Sequence, residues 1–417
     1  MSVPPGLPAG LPGWFTKGPA AEILALLNAD GEEARPIGGA VRNHLIGQPE
    51  GDIDIATTAV PGEVVRRMSA AGFKVVPTGI DHGTVTVVAD GRGYEVTTLR
   101  EDIETDGRRA VVRFGRDWRA DAARRDFTVN AMSLAPDGTL VDFFGGRDDL
   151  KARRIRFIGD PVQRIREDRL RILRFFRFHA TYAEGPPDRP ALDACIAERP
   201  GIADLSGERI RQEMLKLLVA ARAASTLQDM ADAGILGPIL GGIPLCCGVA
   251  RLARIEEALG FAAEPSRRLA ALGVLVREDA ERLRGRLKLS NEEFRRLYSV
   301  GHGWPAIDPK QGEQAAKVQL HAAGPRGFRD RALVAFARSA ASPEDPSWQA
   351  LVRLPERWQA PGFPISGLDF AARGLGQGPE LGAALARAKA AWIATGFPSD
   401  RASLDALVVA AMPGHFS

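Results

Sequence analysis

Cysteine, tyrosine and lysine are scarce in this 417-residue chain. Its three cysteines, Cys195, Cys246 and Cys247, form an odd count with one adjacent pair and no C-x-x-C spacing. That excludes a disulfide framework and a cysteine zinc site, and reads as structural thiols in a reducing compartment. No apolar run approaches the roughly 20 residues that a membrane helix needs, so a transmembrane segment is excluded. The opening MSVPPGLPAGLPGWF has neither a basic start nor a continuous apolar stretch, which excludes a secretory signal and suggests a loose leader over residues 1–19. These observations place the chain in the cytoplasm. The six histidines are scattered and none pairs with an aspartate as metal ligands do, so His302 and His321 read as ordinary surface or core residues.

Only eight of the 55 basic residues are lysine, leaving 47 arginines. Arginine is the better fork for phosphate, although Ala and Gly run high as well, as a coding bias would produce. The distribution says more than the total. Net charge is +3 overall, yet Lys151–Phe178 carries ten basic residues against three acidic ones, which points to a polyanionic partner.

Length implies two to four domains. From about residue 20 to 157, helix-like runs such as AAEILALLNA alternate with Val-, Ile- and Thr-rich runs such as GTVTVVA and YEVTTLR, broken by Gly and Pro. After Pro161 amphipathic helical runs dominate, among them SGERIRQEMLKLLVA and SNEEFRRLYSV. The fold class is therefore α+β: a head with a mixed sheet over 1–157, then helical segments over 158–225, 226–340 and 341–417. Pro/Gly-rich breaks at 184–190, 237–248 and 341–347 separate the helical parts.

Within the head, EGDIDIATTA sets two aspartates one residue apart in a strand-like run. Alternation sends Asp52 and Asp54 to one face and Ile53 and Ile55 to the other, so the isoleucines enter the core. Two carboxylates side by side repel unless something positive lies between them, and a divalent metal is the obvious candidate. A solvated strand edge is the bland alternative. Thirteen residues earlier, Gly38 and Gly39 separate a strand-like from a helix-like run, allowing backbone N–H groups close to a phosphate, with Arg42 in the following turn. The pair lacks G-x-G-x-x-G spacing, which argues against a dinucleotide-binding fold.

Residues 37–54 resemble the signature of the tRNA nucleotidyltransferase and bacterial poly(A) polymerase family, within the polymerase β-like nucleotidyltransferases: G-G-x-V-R-D, a short spacer, then D-x-D. One departure is visible, Asn43 where the family usually has Asp. The resemblance implies a polymerase β-like head followed by a helical neck, body and tail. It also implies that Asp52 and Asp54 hold Mg²⁺ in a two-metal mechanism. Glu95, in YEVTTLR, would lie near the metals, and an edge-strand glutamate is the alternative. Gly38, Gly39 and Arg42 would serve the nucleotide.

A second motif, RRDFTVNAM over 124–132, matches the family's R-R-D-F-T-x-N-A. It implies phosphate contacts from Arg125, shared by Arg124, with Asp126 and Asn130 near the sugar or bracing the loop. The polar stretch between Arg100 and Arg124 has little periodicity and reads as a long loop. Its position matches a flexible loop that complete CCA-adding enzymes carry and enzymes adding only the two cytidines lack.

A third motif, E-D-x-x-R-x-x-R-x-x-R-F, matches over Glu167–Phe178. Three-residue spacing puts Asp168, Arg171, Arg174 and Arg177 along one helical stripe, and a solvated basic face is the bland reading. By resemblance, Asp168 and Arg171 read the base while Arg174 and Arg177 bind triphosphate or tRNA. Cytosine and adenine each set an exocyclic amino donor beside a ring-nitrogen acceptor, which suits a carboxylate and a guanidinium; uracil and guanine reverse that order. LSGERIRQEMLKLL (205–218) resembles the following helical motif, where Glu208 and Arg209 brace the neck. FPISGLDFAARGLGQGPELGAALARAKAAWIATGFP (363–398) resembles the tail segment. Its Ser-Gly and Gly-Pro-Glu helix starts suit phosphate contact, with helix capping the simpler account. The implied partners are a tRNA 3′ end, CTP and ATP, with no membrane and no protein partner. Alternatives inside the class are a poly(A) polymerase or an enzyme adding part of CCA. Outside it stands a catalytically silent RNA-binding protein, which the intact D-x-D argues against.

Overall fold

The computed structural model describes residues 10–80, 83–106 and 109–413. They form two compact units, 1–239 and 240–417. The first opens with α1 (Gly13–Thr16) and α2 (Pro19–Leu27), then β1 (Ala34–Ile37), α3 (Gly39–Leu45), β2 (Asp54–Thr57) and α4 (Pro61–Ala70). β3 (Lys74–Gly79), β4 (Thr84–Ala89) and β5 (Arg92–Thr98) follow, with the short β8 (Ser133–Leu134) and β9 (Leu140–Val141) later in the chain. These strands make one mixed seven-stranded sheet in the order β3-β4-β5-β2-β1-β8-β9. β2 runs antiparallel to β1 and parallel to β5.

Period-two alternation splits the sheet into two unlike faces. Ile53, Ile55, Val85, Val87, Tyr94 and Val96 are buried against Ile23 and Leu27 of α2 and Val64 and Met68 of α4, with Trp14 and Phe15 of α1 packed alongside. The opposite face carries a smaller apolar cluster of Ile37, Ala56 and Leu99 beneath Trp118. Asp54 starts β2 on that less covered side, half-buried, with Ile37 as its partner on β1.

The segment between Arg100 and Arg124 is not the uninterrupted loop its polarity suggested. Strands β6 (Arg100–Asp106) and β7 (Arg109–Phe114) pair as a separate antiparallel sheet, and α5 (Trp118–Ala123) follows, capped by the Asp117 side chain. Backbone pairing builds such a ladder without the apolar alternation that a packed sheet demands.

After α6 (Gly146–Lys151) come α7 (Pro161–Glu167), α8 (Arg171–Tyr182), α9 (Arg189–Glu198), α10 (Gly207–Leu218) and α11 (Ala223–Asp232). Phe127 is fully buried between Phe157 and Phe178, at ring distances of 4.9 and 5.1 Å, and Phe175 lies 5.8 Å from Phe157. This aromatic knot fastens α8 to the RRDFT segment and so sets the spacing of the charged residues on each.

The second unit is helical throughout its described residues. Its longest element, Gly312–Arg338, is broken at Gly324 (φ 69°) ahead of Pro325. Glu256 is buried between Arg267 and Arg268, and Phe336 stacks on Trp348 at 5.1 Å. A tail cluster gathers Phe370, Ala384, Ala388 and Val408. The Ser366 hydroxyl and amide both bond Asp369, so this tail helix start is a capping box. Cys195 and Cys246 are buried and Cys247 is exposed, all as free thiols.

Candidate active site

Only part of the acidic pair is in the strand. Asp54 is the first residue of β2, whereas Asp52 is exposed in the loop before it, so strand alternation alone does not set both side chains. Ile53 and Ile55 are buried, as the pattern required. Glu95 is not on an edge strand: β5 lies inside the sheet beside β2, with Ile55 opposite Val96, which brings Glu95 alongside Asp54. Burial raises the Asp54 carboxyl to about 6; Glu95 and Asp52 push in the same direction and Arg125 opposes them. Neither aspartate makes an ion-pair contact among the described residues.

β1 is followed by Gly38, whose φ of +65° is one that a side chain rarely adopts. A Cβ there would lie 3.5 Å from the Asn130 carbonyl oxygen and 3.7 Å from the Arg125 guanidinium. The Gly38 amide donates to the Met132 carbonyl at 3.0 Å, joining the glycine turn to the second motif. Gly39 then opens α3, which buries Arg42.

In the second motif, Asp126 is a buried hub. It accepts from Arg174 (2.7 Å), Asn130 (2.9 Å) and the Phe127 amide (2.9 Å). Burial works against its charge, but Arg174 and these hydrogen bonds hold the carboxyl below its usual range. Asn130 in turn accepts from Arg42. Asp121, on α5, accepts from Arg124 (2.6 and 2.8 Å) and from Arg125 (3.2 Å), orienting both guanidinium groups.

The third motif does not lie on one helix. α7 ends at Glu167, Asp168 is extended (φ −151°), and α8 begins at Arg171, so only Arg171, Arg174 and Arg177 share a helix. Asp168 turns the chain by accepting from the Leu170 amide at 3.1 Å, the habit of Asp in local turns. Its other oxygen accepts from Arg209 at 2.8 Å, while Arg171 bonds Glu167 and the Arg164 carbonyl. Asp168 and Arg171 are thus neighbours in the site without pairing to each other. Arg177 is bonded to Glu213, a buried residue of α10 that also lies 3.9 Å from Arg174.

Apart from Glu95, all the sequence-predicted site residues line one cleft of about 610 Å³. Seven arginines and four aspartates border it, a balance suited to a triphosphate accompanied by a cation. Phe178, Asn43 and Arg209 also line it. The sequence marks Arg209 only as a brace, because its position three residues after Ser206, the N-cap of α10, carries no sign that it reaches Asp168.

Residues 34–156 match the "Poly A polymerase head domain" and residues 188–245 the "Probable RNA and SrmB- binding site of polymerase A". Over 395 residues the chain is 35% identical to the mitochondrial CCA tRNA nucleotidyltransferase 1 of Mus musculus, covering 94% of this chain and 89% of that protein. The chain belongs to the CCA tRNA nucleotidyltransferase family. A second relative, the CCA-adding enzyme of Limosilactobacillus fermentum, is 33% identical and is covered over 90% of its length. Among solved structures, the Bacillus stearothermophilus CCA-adding enzyme in complex with CTP aligns with a TM-score of 0.73 at 30% identity, covering 93% of each chain. The Thermotoga maritima CCA-adding enzyme complexed with tRNA-CCA shares the fold, with a TM-score of 0.66 at 20% identity. As nucleotidyltransferases, members of this family use a divalent metal. No helix among the described residues is long and apolar enough to cross a membrane.

Proposed function

We propose that this cleft adds C, C and then A to the 3′ end of tRNA, taking CTP and ATP without a template and releasing pyrophosphate. The observation that carries this reading is a single cleft joining two aspartates, neither ion-paired among the described residues, to seven arginines and to Asp168.

Asp52 and Asp54 suit Mg²⁺. Both are hard oxygen donors, and burial first, then the neighbouring Glu95 and Asp52 charges, raise the Asp54 carboxyl while Arg125 opposes them, leaving a corner that a cation would relieve. When bound there, Mg²⁺ supplies a lowered pKa for the tRNA 3′-hydroxyl and support for the leaving pyrophosphate. Glu95 adds its charge to the same corner of the sheet. Arg42 and Arg125, with the Gly38–Gly39 turn, orient the triphosphate, and Asp121 keeps Arg124 and Arg125 aimed. Asp126 and Asn130 brace the sugar side of the cleft, and Arg174 and Arg177 extend the positive wall. Asp168 accepts the exocyclic amino group of cytosine or adenine while Arg171 donates to the ring nitrogen. A base offering the reverse order leaves both groups unpaired, which can reject it by about 10⁴-fold. The helical regions 158–225, 226–340 and 341–417 serve as neck, body and tail, gripping tRNA by backbone and shape. Three cysteines with no disulfide or C-x-x-C spacing suit a reducing compartment, for which we propose the cytoplasm.

Purified protein supplied with tRNA transcripts ending before CCA, after C, or after CC, each with single nucleotides, tests the function. Addition of C, C and A that then stops is expected. Long A tails on any RNA would contradict the reading, as would Asp52→Ala with unchanged activity.

A further inference from the structure

Arg42 is 6% exposed, and a guanidinium that buried requires fixed acceptors. Among the described residues none of its hydrogen-bond partners is a carboxylate. It donates to the side-chain oxygens of Asn130 and Asn43, the latter at 3.0 Å, and to the hydroxyl of Tyr182 at 2.7 Å. Its Cζ lies 4.1 Å from the Tyr182 ring centroid and 5.2 Å from that of Phe178, while its Nε has no partner. The Asn43 amide nitrogen donates to the Pro49 carbonyl, which fixes the side-chain oxygen toward Arg42. Tyr182 is one of only three tyrosines in the chain and ends α8, the helix that carries Arg171, Arg174 and Arg177.

We propose that Tyr182 is a positioning residue that does for Arg42 what a carboxylate at position 43 would do, fixing the guanidinium by one hydrogen bond and one aromatic face. A carboxylate would neutralise the arginine as it held it. A phenol and a ring hold it while leaving the charge for an anion, and they tie its placement to the arginine-bearing helix. This rests on the reading of Arg42 as a triphosphate contact.

Steady-state addition of single nucleotides to tRNA, with KM and kcat for CTP and ATP, tests it. Tyr182→Phe keeps the ring and loses the hydroxyl; KM is expected to rise about tenfold with kcat within about twofold. Tyr182→Leu loses both and raises KM further. Adding Asn43→Asp to Tyr182→Leu supplies the carboxylate and is expected to return KM to within about threefold of Asn43→Asp alone. A merely structural role would lower kcat and the unfolding midpoint and would gain nothing from Asn43→Asp. Unchanged KM in both Tyr182 variants, or no rescue, overturns the proposal while wild-type CCA addition stands. Arg42→Ala with wild-type KM would instead overturn the Arg42 reading beneath it.

Discussion

Two groups of acidic residues in this molecule are treated in opposite ways. In the second unit Glu256 is 1% exposed and clamped by Arg267 at 2.6 Å and Arg268 at 2.8 Å. Asp330 beside it, 2% exposed, bonds Arg296 at 2.7 Å, and although burial pushes its pKa upward, Arg296 and Arg267 oppose the rise. In the first unit Asp54 is half-buried, and burial raises its carboxyl too, yet its charged neighbours include Glu95 and Asp52, and Arg125 opposes them. Glu256 and Asp330 are fully buried and Asp54 partly so. The sign of the neighbours distinguishes a closed structural network from the corner proposed to hold a cation.

Substitutions at the two kinds of carboxylate are expected to diverge. The largest effect is on chemistry: Asp52→Asn or Asp54→Asn should lower nucleotide addition at least about 10³-fold, measured by primer-extension gels on tRNA. Next, Glu256→Gln leaves two buried guanidinium groups without their anion and should cost about 3–5 kcal/mol in denaturant unfolding, with the KM for CTP unchanged. A smaller, more specific effect is expected at Asp168, proposed above to read the base. Asp168→Asn exchanges an acceptor for a mixed donor and acceptor, and discrimination of CTP over UTP should fall on the order of 10²-fold in competition assays. Arg209→Ala frees one oxygen of Asp168 and should change that ratio by less than about tenfold.

The head was legible in sequence wherever chemistry and backbone geometry coincide. Gly38 needs its positive φ, Ile53 and Ile55 need the core, and the arginines of the three motifs converge on one cleft. What could not be read were features that periodicity does not signal, two of them local and the others set by contacts distant in sequence. The β6–β7 hairpin carries REDIETD, whose polarity resembles a loop because its ladder needs no apolar face. The break at Asp168 depends on a single side-chain bond to the Leu170 amide within an otherwise helical charge pattern. Asp168 meets Arg209 across 41 residues, and Arg42 meets Tyr182 across 140; spacing rules for a single helix or strand reach neither. Sequence alone leaves Glu95 open between an edge position and a place beside the acidic pair, until β2 takes its place beside β5.

The smallest expected effect isolates the contrast most cleanly. Because the Asp54 pKa is raised in the fold, between its ordinary value near 3.8 and about 6 the folded chain keeps a proton that the unfolded chain releases. Wild-type stability therefore falls as pH rises through that window, and the deficit is complete above it. Asp54→Asn carries no such deficit. The decisive measurement is the unfolding midpoint of wild type and Asp54→Asn in metal-free buffer at pH 7.5, repeated with Mg²⁺. The variant should be more stable without metal, by on the order of 1–2 kcal/mol, and Mg²⁺ should close the gap by stabilising wild type alone. A variant less stable than wild type in metal-free buffer, or equal stabilisation of both by Mg²⁺, would contradict the account.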